Sequence, residues 1–296
     1  MPKSKNEYLH LHLIVFIWGF TAILGKLISL DAVTLVWYRI FFTVISIFAF
    51  IKIAKIDIRL PKKAILQLLG IGVIIAFHWT TFYYAIKIAN VSVTLAGLST
   101  GAFFVSILEP IIYRKRPVIH EMLLGIVVVG GILLILDVEG DLKVGVLIAL
   151  LSAALASLFS VFNARLAHKW DPTVITFYQM IGGVLTLSLV IPFMSKDMVD
   201  FSIPTGMDLV YLIILATVCT AYTFIAAVRI MRTLSAFTVV LTVNLEPVYG
   251  IIMAYFIFGE SETMSPKFYI GTFVIISTVL INSWIKSKSI KEKNSL

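Results

Sequence analysis

Residues 32–53 read AVTLVWYRIFFTVISIFAFIKI, an apolar run with one base, Arg39, in its first half and Lys52 near its end. At about 1.5 Å of rise per helical residue, such a run spans the roughly 30 Å hydrocarbon core of a bilayer. Outward from it the same pattern recurs at 9–30, 64–88, 92–113, 121–136, 143–167, 173–194, 208–230, 235–259 and 268–285. The expected fold is therefore all-α and integral to the membrane, with ten transmembrane helices; the 121–136 stretch is the shortest. The connections carry charges and helix breakers, as in Arg59-Leu60-Pro61-Lys62-Lys63, Arg114-Lys115-Arg116-Pro117 and Trp170-Asp171-Pro172.

Composition excludes the main alternative. Of the 296 residues, 60% are hydrophobic and only 14% charged, against about 45–50% and a quarter in soluble domains. Mean hydropathy is +1.02. The single cysteine, Cys219, says nothing about redox compartment. The first apolar run is too long for the hydrophobic region of a signal peptide and is followed by Asp31, so it reads as a retained helix.

The net charge of +8 raises the question of nucleic acid, and the distribution of the bases answers it. With ten spans, 18 of the 24 Lys and Arg residues fall on the side of the termini, 5 on the other, and Arg39 lies within a span. The positive-inside rule then places both termini in the cytoplasm, with anionic lipid rather than nucleic acid beside the basic face.

Ten spans divide into two halves, 1–136 and 137–296, with weak internal similarity. Trp37-Tyr38-Arg39 matches Phe177-Tyr178-Gln179, and Ala85-Ile86-Lys87-Ile88 matches Ala227-Val228-Arg229-Ile230. An odd number of spans per half inverts the second relative to the first, the arrangement that many secondary transporters use to alternate access to a central site. Leu108-Glu109-Pro110 and Leu245-Glu246-Pro247 also look alike but fall out of this frame and read as separate in origin.

Ionisable and amide groups inside the spans are the candidates for function, because each is costly in hydrocarbon unless it faces a partner or a cavity. In Asn244-Leu245-Glu246-Pro247 the proline removes a helical bond beside a carboxyl and an amide. Glu246 is the first candidate for proton coupling, or a buried acid paired with Arg39 or capping a neighbouring helix. Arg39 offers a planar fork of donors for a carboxylate, or serves a structural ion pair. Glu109 is a second proton-coupling candidate, close enough to Arg114 to snorkel. His78, beside Trp79, is a proton relay or a neutral histidine satisfied by an adjacent helix. Trp79, Asn163, Tyr178, Gln179, Tyr222 and Asn244 are candidate substrate-lining residues. Phe82, Tyr83 and Tyr84 read as an interfacial aromatic belt, and Gly19 beside Trp18 as a point of close helix packing. Asp137, Glu139 and Asp141 read as a solvated turn rather than a cation site. No nucleotide-binding loop, metalloprotease motif or nucleophile elbow occurs, so no enzyme activity, cofactor or metal is expected.

Trp18-Gly19-Phe20, Trp37-Tyr38-Arg39, Ala85-Ile86-Lys87, Asn244-Leu245-Glu246-Pro247-Val248-Tyr249 and Phe258-Gly259-Glu260, in this order, resemble the EamA family of the drug/metabolite transporter superfamily over nearly the whole chain. The resemblance implies a multi-pass secondary transporter of the cell membrane, often an exporter of amino acids or related metabolites, with a cavity lined by both repeats. The chain departs from the family where Lys115-Arg116-Pro117 stands at the counterpart of Phe258-Gly259-Glu260. The expected function is secondary transport by alternating access, outward in direction as the resemblance implies, of a small amino-acid-like or amphipathic solute, with protons as the candidate coupling ion. The alternatives are a non-transporting membrane sensor or assembly subunit, and an integral-membrane enzyme on lipid-linked substrates.

Overall fold

The computed structural model describes residues 2–114, 116, 119–138, 142–195, 199–230, 242–243 and 245–294. Asn244, Glu139 and Asp141 lie outside the described residues. The elements are α1 (Pro2–Leu27), α2 (Ala32–Ala54), α3 (Lys62–Ile88), α4 (Val91–Leu98), α5 (Gly101–Tyr113), α6 (Ile119–Val138), α7 (Lys143–Leu166), α8 (Pro172–Val190), α9 (Gly206–Ala216), a π-helical segment (Thr217–Tyr222), α10 (Thr223–Ile230), α11 (Glu246–Phe258) and α12 (Pro266–Asn294).

Local chemistry sets the helix ends. The Asp31 carboxylate accepts from the N–H groups of Val33 and Thr34, both at 2.9 Å, and caps α2. Asp171 does the same for α8 through Thr173 at 2.8 Å, with Pro172 in the first turn. Lys55 and Arg114 close α2 and α5 in the left-handed conformation, returning their N–H groups to Ile51 and Pro110.

Seven described helical stretches are long and apolar enough to cross a membrane: Asn6–Leu27, Ala32–Ala54, Lys62–Ile88, Val91–Tyr113, Lys143–Asn163, Pro172–Phe193 and Gly206–Ala227. They coincide with the first four expected spans and with the sixth to the eighth. At the fifth, α6 contains a shorter apolar helix, Leu123–Ile135. The ninth expected span falls partly outside the described residues and emerges as α11, and the tenth lies within α12.

Two spans are not the continuous α-helices that their apolar patterns suggest. The 92–113 run breaks after Leu98, where the Ser99 and Thr100 hydroxyls donate back to the carbonyls of Ala96 and Gly97 at 2.6 and 2.7 Å. The 208–230 run widens into the π segment, where Thr220 donates to Leu215, five residues back, at 2.7 Å.

The helices pack in a pattern that exchanges partners between the halves. Helix α3 lies against α7 and α8, while α1 and α2 lie against α9, the π segment and α10. Helix α1 packs on α11, and α7 on α4 and α5; α6 pairs with α12, and α2 with α8. Glycines permit the tightest crossings. A Cβ on Gly19 would lie 3.1 Å from the Glu246 carbonyl and the Gly250 nitrogen, and one on Gly72 would lie 2.0 Å from the Gln179 carbonyl. Large apolar side chains such as Leu66 (69% exposed) and Phe256 (80%) cover the outside, as a surface solvated by lipid requires.

Contacts between connections define two faces. On one, which we call the Lys26 face, Ser29 donates to Asp208, Lys87 to the Ile28 carbonyl and Thr34 to the Asp200 carbonyl. On the other, the Arg165 face, Tyr178 donates to the Ile58 carbonyl and Tyr113 to the Val161 carbonyl.

Candidate functional site

Helix α2 carries Arg39 into the core, where the residue is 3% exposed. Its Nε donates to Thr220 Oγ1 at 2.9 Å and its Nη1 to the Tyr83 hydroxyl at 2.7 Å. The guanidinium lies over the Trp79 ring, 3.8 Å from its centroid. Helix α3 supplies Trp79 and Tyr83, and the π segment supplies Thr220. Widening there directs Thr220 towards α2, while Thr43, one turn beyond Arg39, donates to the carbonyls of both Arg39 and Ala216 at 2.7 and 3.1 Å. Segments of this kind recur at functional sites because they release backbone groups that a regular helix would engage.

The partners of Arg39 are all neutral. Among the described residues no carboxylate lies within 4 Å of it, and three of its five N–H groups have no acceptor. Glu246 and Arg39 do act on one another electrostatically, but they do not form the permanent ion pair that was one expectation for both.

An aromatic wall extends the site. Phe224 packs edge-on against Trp79 and Trp18, each at 5.9 Å between centroids, and Trp18 Nε1 donates to Thr223 at 2.9 Å. Tyr83 corrects the sequence expectation: it is fully buried and Phe82 is 3% exposed, so of the expected belt only Tyr84 lies at the surface. Gly25 holds Tyr83 in place, since a Cβ there would lie 2.2 Å from the ring. Gly25→Val is therefore expected to drive Tyr83 from Arg39 and to destabilise the protein by about 1–3 kcal/mol, the usual cost of overpacking. Thermal unfolding in detergent measures this, and an unshifted midpoint contradicts it.

Glu246 opens α11 from the other half. The expected kink in the middle of a span is a helix start, with Pro247 in the first turn, where its missing N–H costs nothing. An acid in that position also faces the positive end of the helix dipole. Helix α11 crosses α1 at Gly19 and Gly250, which seats the Glu246 backbone carbonyl beside Gly19. Glu109 instead lies near the end of α5, and its neighbour Pro110 falls within the helix, so the two Leu-Glu-Pro triplets occupy unlike positions.

The other sequence candidates separate from this cluster. His78 binds α7: its Nδ1 lies 3.0 Å from the Ser152 carbonyl and 2.9 Å from Ser152 Oγ, which also donates to the His78 carbonyl. Gln179 donates to Asn163 Oδ1 at 2.5 Å, tying α8 to α7. The Tyr178 hydroxyl is engaged at the α2–α3 connection. Tyr222, 44% exposed, bonds His10 Nε2 at 2.6 Å. Thus Arg39, Trp79 and Glu246 belong to one neighbourhood, to which the structure adds Tyr83, Thr220 and Trp18. We expect Ser152→Ala to cost about 0.5–1.5 kcal/mol of stability, because the bonds of the hydroxyl are lost while the Ser152 backbone carbonyl still engages the His78 ring. The thermal midpoint falls while solute transport per folded molecule is retained; loss of transport at unchanged stability contradicts the packing role.

The model of the EamA-like transporter family matches residues 6–137 and 143–284. An uncharacterized transporter of Bacillus subtilis (strain 168), YdfC, is 24% identical over 208 residues, which cover 69% of this chain and 66% of that protein. An uncharacterized transporter of Archaeoglobus fulgidus is 27% identical over 194 residues, 63% of this chain and 68% of that protein. Each alignment thus spans about two thirds of the relative. One solved crystal structure, 13% identical, superposes with a TM-score of 0.66 over 96% of this chain and 98% of that one. The fold is one already seen in a crystal, and the chain is a multi-pass protein of the cell membrane.

Proposed function

Since the chain belongs to the EamA-like transporter family, we propose that it is a secondary transporter exporting a small amino-acid-like solute whose carboxylate binds Arg39. The observation that carries this reading is a buried guanidinium with neutral partners and three uncommitted N–H groups. A buried guanidinium with no carboxylate at ion-pair distance among the described residues is costly, and a substrate carboxylate supplies one in a bidentate geometry that suits the fork.

Glu246 serves as the proton-coupling group. It stands at the start of α11 in the second half, close enough for its charge to act on Arg39. A proton and the ammonium of a zwitterionic solute compete for its carboxylate. Binding the solute then releases the proton, which is the condition for exchange of one against the other.

Alternation between ten-helix states with both termini cytoplasmic completes the proposal, with repeats at 1–136 and 137–296. Three observations support it. The most extensive contacts between helices, α3 with α7 and α8 against α1 and α2 with α9 to α10, and α1 with α11 against α7 with α4 and α5, correspond when the halves are exchanged. The family model covers two stretches of similar length. The break at Ser99–Thr100 and the helix start at Glu246 fall in corresponding spans, in keeping with the discontinuous helices that mark transporter sites.

Reconstitution in liposomes tests it. Zwitterionic amino acids are expected to show counterflow and to be accelerated by an imposed pH gradient. The absence of counterflow for a broad panel of solutes, with folded and oriented protein, overturns the transport reading.

A further inference from the structure

Glu262, in the connection between α11 and α12, is fully buried, although its Glu260-Ser261-Glu262 setting reads as a solvated turn. Its Oε1 accepts from Lys26 Nζ at 2.7 Å and from the Val91 N–H at 3.0 Å, and its Oε2 accepts from the Ser92 N–H at 2.8 Å. One carboxylate thus joins the end of α1, the start of α4 and a connection from the other half. Lys26 also donates to Ser261 at 3.0 Å and lies over the Phe258 ring, 4.4 Å from its centroid.

The Arg165 face holds a counterpart of opposite orientation. Arg165, at the end of α7, lies over the ring of Tyr113, at the end of α5, at 4.3 Å. Lys26 stands to α1 and Phe258 to α11 as Arg165 stands to α7 and Tyr113 to α5. The two contacts differ in charge. No carboxylate among the described residues lies within 4 Å of Arg165, and the sequence that follows Tyr113, Arg114-Lys115-Arg116, carries bases where the other connection carries Glu260 and Glu262.

We propose that Lys26 and Glu262 form a charge-assisted latch that closes the Lys26 face, and that its unequal counterpart makes closure there the resting state. The proposal rests on the alternating-access reading above. The latch bridges the halves, so opening that face must part Lys26 from Glu262 and free the first N–H groups of α4. The Arg165 contact, with no carboxylate within 4 Å among the described residues, yields more readily.

Leu95 reports on it, because it is fully buried one turn inside Ser92 and packs against Gly250. Leu95→Cys is introduced with Cys219, the one native cysteine, replaced by alanine, and an impermeant maleimide is applied from each side of the membrane. From the Lys26 face, labelling is expected to rise about tenfold in Glu262→Gln and in Lys26→Gln, the effect of losing a charged hydrogen bond. Lys26→Gln is the milder change, since Lys26 is 26% exposed. Arg165→Gln is expected to leave that labelling unchanged or lower it. Unchanged labelling in both latch variants, with thermal midpoints showing folded protein, overturns the latch, as does an equal rise in all three variants. Wild-type protein that shows no counterflow while the latch variants still label faster rejects the transport reading and leaves the latch standing.

Discussion

Arg39→Gln is expected to lower solute counterflow by a hundredfold or more while the protein stays folded. The two effects separate because Arg39 bonds only neutral groups, Thr220 and Tyr83, and stacks on the neutral ring of Trp79. Among the described residues no carboxylate lies at ion-pair distance from it, so the direct loss is two hydrogen bonds and a stacking contact, offset by no longer burying a cation. A bound carboxylate that loses its guanidinium is a different matter. Truncating one member of a buried pair costs about 3–5 kcal/mol, which is two to three decades at about 1.4 kcal/mol per decade. Arg39→Lys keeps the charge without the fork and is expected to retain roughly a tenth of the activity, because an ammonium cannot bind a carboxylate bidentately. Counterflow alongside thermal unfolding in detergent resolves the two. A loss of folding in step with activity assigns Arg39 a structural role.

Glu246→Gln is expected to abolish the acceleration of transport by a pH gradient while counterflow persists. Counterflow exchanges one solute for another and moves no net proton, so it survives an amide at this position, whereas coupling does not. The solute's ammonium also loses its counter-charge, and the concentration giving half-maximal counterflow rises about tenfold, as for a charged hydrogen bond worth about 1.5 kcal/mol. Undiminished gradient stimulation in Glu246→Gln removes this residue from the coupling step and directs attention to Glu109. Helix geometry favours Glu246, which lies at the start of α11 beside Gly19, whereas Glu109 lies near the end of α5.

Much of the fold is legible in the chain because hydrocarbon permits few solutions. Long apolar runs and connections that carry charges and proline define the helices before any contact is known. Arg39 and Glu246 stand out for the same reason: a charge inside an apolar run needs an explanation. What the pattern conceals is whether a polar group is already satisfied. His78 looked as available as Arg39, yet Ser152 engages its ring from another helix. Tyr83 sits in a Phe-Tyr-Tyr cluster of the kind that lines a membrane surface, and only its seat against Gly25 shows that it turns inward.

Hydroxyl groups explain most of the remaining differences. Ser99-Thr100 and Thr217, Thr220 and Thr223 are compatible with a continuous apolar helix, and hydropathy passes over them. Their bonds to carbonyls three to five residues back are what break one span and widen the other. The polar triplet Ser99-Thr100-Gly101 within an apolar run was the available signal. Glu262 went unnoticed for the opposite reason, since an acid in a short connection ordinarily meets water, and its three donors come from residues far away in the chain.

The central claim, a carboxylate seated on Arg39, is tested most directly by competition in the counterflow assay between an amino acid, its methyl ester and the corresponding amine. The account predicts that only the compound bearing the carboxylate competes, and that Arg39→Gln removes the distinction. Equal competition by all three compounds against the wild-type protein contradicts it.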